Sequence, residues 1–351
     1  MCTMAPLLFN INVRWTAPLL RAPPKWAWFL ASPDGSRSTS SDSSSSTSSG
    51  RRSADSSPML RVLVTGGTDG IGREAAMRFA QLNHHVTISG RDRRKADDVI
   101  EQCVRLYNNT PHFIQVDFSQ SEEVIRFAER AARIGYDICI LNAGTMMPAN
   151  ARCTADRDRD RDTTMMTNLV SSYMIAHRIL DHRKCTNDQR DIHFVFTTSL
   201  LVKFHGVTPF YTFFFNPSEE SEWRRALRPD DSGSGVAKYA YSKIGLATLA
   251  TCISRLALPH VTATSVHPGT VETNIMANLS TRHQRYIRFF RRFCTSLPEA
   301  GANLVRAASE PLPVGWYYDA SKAAELPDVV SSAKSCEAFD AVFEQFRIAN
   351  Q

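Results

Sequence analysis

Short apolar runs alternate with stretches of helical period along most of this 351-residue chain. Strand-like runs fall at about 61–65, 85–89, 112–116, 137–141, 191–197, 260–266 and 314–318. Between them, apolar positions recur at three- and four-residue spacing over about 70–82, 92–106, 120–134, 163–183, 239–257 and 298–309, as they do on one face of a helix. Ser119-Gln120-Ser121-Glu122 and Ser296-Leu297-Pro298-Glu299 read as capping boxes that open two of the helices. Strict alternation of strand and helix predicts an α/β protein, a single doubly wound domain around a seven-stranded parallel sheet. No internal repeat is visible.

The first 57 residues follow no such pattern and are expected to form a disordered tail ahead of a folded body at 58–351. Between Ser36 and Ser57, 13 of 22 residues are serine, too little apolar surface to offset the entropy of folding. Residues 1–33 carry Arg14, Arg21 and Lys25 beside Trp15, Trp26 and Trp28, a composition nearer a mitochondrial presequence than a secretory signal. An untargeted extension is the alternative. No apolar run reaches the ~18–20 residues of a spanning helix.

Charge and cysteine exclude more than they suggest. The net charge is +6, half of it in the tail, so the body has no nucleic-acid footprint. Eight cysteines without C-x-x-C or metal spacing read as reduced packing residues, with no metal site. The run Asp156 to Asp162, in which aspartate and arginine alternate, reads as a solvated, self-neutralised loop.

Two segments carry chemistry. Val62 to Thr65 runs into Gly66, Gly70 and Gly72 and then into a helical pattern. Glycine permits a sharp turn and close approach of backbone N–H groups to a pyrophosphate at the positive end of that helix. The spacing G-x-x-x-G-x-G is one residue off the common dinucleotide fingerprint, and a plain strand-to-helix turn is the alternative. In the second segment, Tyr239 and Lys243 stand four residues apart on one helix face. A tyrosine acts as general acid/base near neutrality only if its pKa falls by roughly 2–3 units from about 10, and a neighbouring ammonium favours that. Ser199 ends the apolar run at 191–197 and is placed to donate to a substrate oxygen. A second Y-x-x-S-K, from Tyr318 to Lys322, follows an apolar run and reads as a strand end and turn.

Taken in order, these residues resemble the short-chain dehydrogenase/reductase family, in its retinol-dehydrogenase-like branch. The resemblance spans roughly residues 60 to 350. It rests on Thr65-Gly66 through Gly72, Asp117 after a third strand, and Asn142-Ala143-Gly144 after a fourth. Asn168 in a helix, Ser199, Tyr239 and Lys243, and Pro268-Gly269 with Thr273 complete it. It implies a Rossmann fold and an NADP(H)-dependent oxidoreductase that interconverts an alcohol and a carbonyl. Asn168, Ser199, Tyr239 and Lys243 become the catalytic expectation, with Asn168 ordering a water relay and Lys243 also holding the nicotinamide ribose. Gly66, Thr68, Asp69, Gly70, Ile71, Gly72, Arg91, Asp117, Asn142, Lys243, Pro268, Gly269 and Thr273 become the expected cofactor contacts. The chain departs from the family at Leu141, where an asparagine is usual, and at Ser171, where a glycine is usual.

At the end of the second strand stands Ile88-Ser89-Gly90-Arg91, with an arginine to pair with a 2′-phosphate, so NADP(H) is expected over NAD(H). The branch implies apolar substrates such as retinoids, steroids or polyprenoids. An apolar lid is expected from Phe204, Phe210, Tyr211, Phe213, Phe214, Phe215 and Trp223, and a peripheral membrane contact from 285–293, where aromatic and arginine positions take opposite helix faces. Packing of both stretches on the protein's own core or on a second subunit, as in a homodimer, is the alternative. A non-catalytic nucleotide-binding regulator of the same fold is the rival function.

Overall fold

β1 (Arg61–Thr65), β2 (His85–Gly90), β4 (Ile138–Leu141) and β5 (Ile192–Thr197) are almost wholly buried, as their unbroken apolar runs require of strands covered on both faces. The computed structural model describes residues 58–148, 150–155, 158–203, 215–229, 235–271, 275 and 294–347. With β3 (His112–Gln115), β6 (Val261–His267), β7 (Trp316–Asp319) and β8 (Lys322–Glu325), they form one sheet in the order β3-β2-β1-β4-β5-β6-β7-β8. Seven strands are parallel, and the eighth is not. β8 returns antiparallel to β7 through a tight turn with Ala320 at φ 54°. The expected seven-stranded parallel sheet is therefore corrected to eight strands with one antiparallel edge. Lys322-Ala323-Ala324-Glu325 is too short and polar to announce a strand by itself. The second Y-x-x-S-K copy lies in this hairpin, with Tyr318 on β7 and Lys322 opening β8.

The helices α1 (Gly70–Gln81), α2 (Arg93–Tyr107) and α3 (Ser121–Ile134) follow the first three strands. A long helical run follows β4, made of α4 (Thr163–Met165), a π-helical turn (Met166–Val170) and α5 (Ser171–Thr186). After β5 come α6 (Glu220–Leu227) and α7 (Gly235–Arg255), then α8 (Leu297–Ser309) beyond β6. Last come α9 (Asp328–Ser331) and α10 (Ala333–Phe343). One apolar cluster gathers α1, α2 and α8 on one face of the sheet, and the other gathers α3, α5, α6, α7 and α10 on the opposite face. α7 is buried nearly all round, because α9, α10 and the helical run through Met166–Val170 pack on it as well as the sheet. Phe339 and Phe343 of α10 stack at 4.1 Å and meet Trp223 of α6 edge-on.

Two local expectations are corrected. Ser296 caps α8 by accepting from Glu299 N at 3.4 Å, as read. Ser119, however, binds Asp117 instead of opening α3, and Ser121 N is taken by the carboxylate of Asp158 at 2.8 Å. The Asp-Arg run is thus no wholly solvated loop among its described residues. Asp158 and Asp162 are buried and serve as caps, Asp162 accepting from Met165 N at 2.9 Å. Phe215 and Trp223 are likewise core residues, Phe215 stacking on Tyr241 at 4.5 Å. The rest of the expected lid (204–214), the 285–293 stretch, Thr273 and residues 1–57 lie outside the described residues. No helix among the described residues is long and apolar enough to cross a membrane.

Candidate active site

The carboxyl ends of β1, β4 and β5 adjoin one another, which is where an open α/β sheet presents a crevice. After β1 the chain turns through Gly66 at φ 65° and Gly70 at φ 54° into α1. A Cβ on Gly72 would stand 2.4 Å from the carbonyl oxygen of Gly66, so the turn and the first turn of α1 close up only because that position is glycine. Thr65 Oγ1 accepts from the backbone N of Asn142 and Ala143 at 2.9 and 3.0 Å, and Asn142 Nδ2 returns to the Thr65 carbonyl at 3.1 Å. The side chain of Asn142 therefore locks β4 to the glycine turn.

Asp69 and Arg91 are both displayed beside this turn. Asp69 caps α1 by accepting from Gly70 N at 2.8 Å, and its other oxygen accepts from Lys95 Nζ at 2.5 Å. Sequence reading missed Lys95. It stands one helical turn beyond Arg91 in the basic stretch Arg91, Arg93, Arg94, Lys95, a signal available in the sequence. Asp92, the acid nearest the end of β2, is turned into α2, where it accepts from Arg94 N and Lys95 N. Thr68 lies over Gly90, where a Cβ would meet its Oγ1 at 2.9 Å. Asp117 holds its own turn, accepting from Ser119 N at 2.9 Å and Oγ at 2.8 Å. Pro268 O accepts from Asn303 at 3.0 Å, and Gly269 at φ 105° leaves no room for a side chain beside Thr295. His267 is buried at the end of β6, and burial pushes its imidazole down to about 4.

Ser199, Tyr239, Lys243 and Asn168 are brought together. The Ser199 hydroxyl acts on the Tyr239 phenol as a pKa-lowering neighbour. Lys243 Nζ donates to the Thr197 carbonyl at 2.8 Å and lies 5.4 Å from the centre of the Tyr239 ring. Asn168 occupies the π-helical turn, a local widening that often marks functional positions. Its amide clamps Thr145, accepting from Thr145 N at 2.7 Å and donating to Thr145 O at 2.9 Å, and also donates to Ser242 Oγ at 2.9 Å. Gly144 closes the cluster, since a Cβ there would lie 3.4 Å from both Asn168 Oδ1 and Lys243 Nζ.

The electrostatics differ from expectation in one respect. Burial pushes the Tyr239 phenol up to about 12, with the Ser199 hydroxyl opposing, and pushes the Lys243 ammonium down to about 7. Burial thus weakens the positive charge of Lys243 and works against the expected depression of Tyr239. The cause is the desolvation of both groups in one buried site.

This arrangement defines a doubly wound α/β fold that gathers Asn168, Ser199, Tyr239 and Lys243 at the carboxyl end of its sheet. Residues 61–209 match the family model described as short chain dehydrogenase. Over that span, and along the relatives that follow, the chain is similar to short-chain dehydrogenases. Among curated proteins it is 25% identical over 261 residues to short-chain dehydrogenase TIC 32 A, chloroplastic, of Brassica napus, covering 72% of this chain and 76% of that one. It is 26% identical over 270 residues to the polyprenol dehydrogenase of Homo sapiens, covering 73% and 75%. Among solved structures, a protein from Mycobacterium paratuberculosis superposes with a TM-score of 0.57 at 19% identity, over 82% of this chain and 92% of that one. The Pseudomonas aeruginosa RhlG complex with NADP gives 0.51 at 18%, over 71% and 89%. At such identities the structural likeness speaks for the fold.

Proposed function

We propose that the chain is an NADP(H)-dependent oxidoreductase that interconverts an apolar alcohol and its carbonyl, with Tyr239 as general acid/base. The observation that carries this reading is Lys243 Nζ fixed on Thr197 O and 5.4 Å from the Tyr239 ring, with Ser199 as a neighbour of that phenol, at the carboxyl ends of strands that adjoin the glycine turn. In the reduction direction, Ser199 orients the carbonyl oxygen and Tyr239 passes its proton to it. In oxidation the same oxygen gives its proton back to Tyr239. Lys243, fixed on Thr197 O, stands where an added negative charge on Tyr239 would raise its own proton affinity, so the two titrate as a pair.

The glycine turn fits a dinucleotide. The space that a Cβ on Gly72 would fill is what lets backbone approach a pyrophosphate at the start of α1. NADP(H), when bound, supplies the hydride equivalent and, oxidised, a positive ring that favours phenolate. Gly66 to Gly72 would hold the pyrophosphate and Lys243 the nicotinamide ribose, with Pro268 and Gly269 bordering that end. Preference for the 2′-phosphate is supported by Arg91 and Lys95 and by the engagement of Asp92 in its helix cap. The RhlG structure carries NADP. The apolar substrate class is supported by the polyprenol dehydrogenases of human and mouse among the relatives.

Two measurements test the reading. Purified protein should oxidise NADPH in the presence of long-chain aldehydes or ketones and should bind NADPH more tightly than NADH. No consumption with any carbonyl, or a clear NADH preference, overturns the enzymatic or the cofactor part respectively. The substrate reading extends to a membrane surface contacted by 285–293. Sedimentation with anionic liposomes that is unaffected by Phe289→Ser and Phe290→Ser overturns that extension.

A further inference from the structure

Lys238 is almost completely buried, although it is a lysine one position before the proposed acid/base. Its Nζ donates to three backbone carbonyls, those of Arg228 at 2.5 Å, Ala226 at 3.0 Å and Arg225 at 3.3 Å. All three belong to the carboxyl end of α6, where the unpaired carbonyls and the helix dipole favour a cation. An ammonium has three protons to donate, and here each has an acceptor. Burying such a group costs heavily unless it is satisfied in this way, and an apolar side chain would fill the same space without that cost.

The same point holds a third segment. Asp162 is fully buried, its backbone N donates to Leu227 O at 2.9 Å, and its carboxylate caps the helical run that carries Asn168. Burial pushes Asp162 up to about 6, and the charge of Lys238 opposes that push, so the two face each other electrostatically. One helical turn after Lys238, Ser242 Oγ accepts from Asn168 and donates to the Tyr239 carbonyl at 2.7 Å. The start of α7 is pressed on the loop after β4, where a Cβ on Gly235 would lie 2.2 Å from Met147 O. Tyr239 therefore sits between two anchors on its own helix, Lys238 towards α6 and Asp162, and Ser242 towards Asn168.

We propose that Lys238 is a positioning residue for the Tyr239 hydroxyl, locking the rotation and axial position of the first two turns of α7 against the end of α6. It touches neither substrate nor cofactor in this arrangement and acts through Tyr239. Misplacing a proton-transferring group by about 1 Å costs on the order of a hundredfold in rate, while cofactor held by the glycine turn is untouched. The proposal rests on the reading of Tyr239 as acid/base.

The test uses full-length protein and three forms, wild type, Lys238→Met and Lys238→Gln, the last retaining amide donors without charge. NADPH affinity is read by fluorescence, kcat and KM with nonanal and all-trans-retinal, and amide hydrogen exchange over 220–227 and 235–243. The expected result for Lys238→Met is an NADPH affinity within about twofold of wild type and a kcat lowered about tenfold to a hundredfold at similar KM. Joint loss of exchange protection in both segments is expected with it, and Lys238→Gln should fall between. A folded Lys238→Met with wild-type kcat, or one whose NADPH affinity falls in step with kcat, overturns the proposal. If Lys238→Met does not fold, the same criteria are applied to Lys238→Gln. If wild type turns over neither probe, the functional reading fails separately, and unchanged protection of 235–243 in the variants then overturns the anchoring itself.

Discussion

Lys243 Nζ and the carbonyl oxygen of Thr197 are joined by a 2.8 Å hydrogen bond that ties α7 to the last residue of β5, two positions before Ser199. The bond sets the distance between the helix that carries Tyr239 and the strand end that carries Ser199. It also spends one of the lysine's donors on the protein, leaving the others for a ligand on the opposite side.

Tyr239→Phe is expected to lower kcat by at least about a hundredfold, the usual loss when a general acid/base is removed, with NADPH affinity within about twofold of wild type. Lys243→Ala should lower both. Stopped turnover measurements with a fluorescence titration of NADPH check this. More than a few percent residual activity in Tyr239→Phe would remove the assignment. Tyr318→Phe is the control, since Tyr318 OH donates to Glu310 O at 3.0 Å and Glu310 Oε2 at 3.2 Å, away from the cluster.

The pKa directions set the pH dependence. A Tyr239 phenol pushed up to about 12 keeps its proton throughout the neutral range, so carbonyl reduction should hold level from pH 6 to 9 in kcat/KM. Alcohol oxidation needs the phenolate and should rise across the same range. For stability, the folded Lys243 has lost its proton above about 7, whereas the unfolded lysine keeps it to about 10.5. The unfolded state binds more protons in that window, so this group's contribution to stability increases as pH rises through it. A reduction rate that climbs with pH would contradict the raised phenol.

Gly72→Ala should abolish measurable NADPH binding while leaving a folded protein. Its Cβ would fall 2.4 Å from backbone that cannot move without opening the turn, a closer approach than real Cβ atoms make. Isothermal titration with NADPH and a thermal melt separate the two effects. Binding retained within tenfold would show that the turn is not the nucleotide cradle.

Asp158→Ala should cost about 1–3 kcal/mol of stability, because it removes a buried cap and leaves Ser121 N without its acceptor. Activity per folded molecule should remain. Chemical denaturation checks this, and a change under about 0.5 kcal/mol would return the Asp-Arg run to the role of a solvated loop.

Much of the candidate site was legible because its residues lie at the carboxyl ends of predicted strands or at fixed spacing on one helix. Gly66, Gly70 and Gly72 announce a turn, and Tyr239 and Lys243 a shared helix face, whatever the fold around them. Lys95 was legible too, as part of a basic stretch after β2, but nothing in the sequence says that it reaches Asp69 across 26 positions. α6, α10 and β8 escaped because they are short, and their helix or strand period is hardly longer than the pattern needed to recognise it.

Local chemistry along the chain determined the alternation of strand and helix, the glycine turn and the existence of an acid/base pair, since each depends on residues within a few positions of one another. Tertiary structure alone decided which aspartates of the Asp-Arg run are buried caps and that Phe215 and Trp223 are core. It also decided that β8 runs antiparallel and that Tyr239 is raised and not lowered in pKa. Those outcomes depend on which distant segments exclude water from a given side chain, and desolvation is a property of the assembled neighbours that spacing along a chain does not encode.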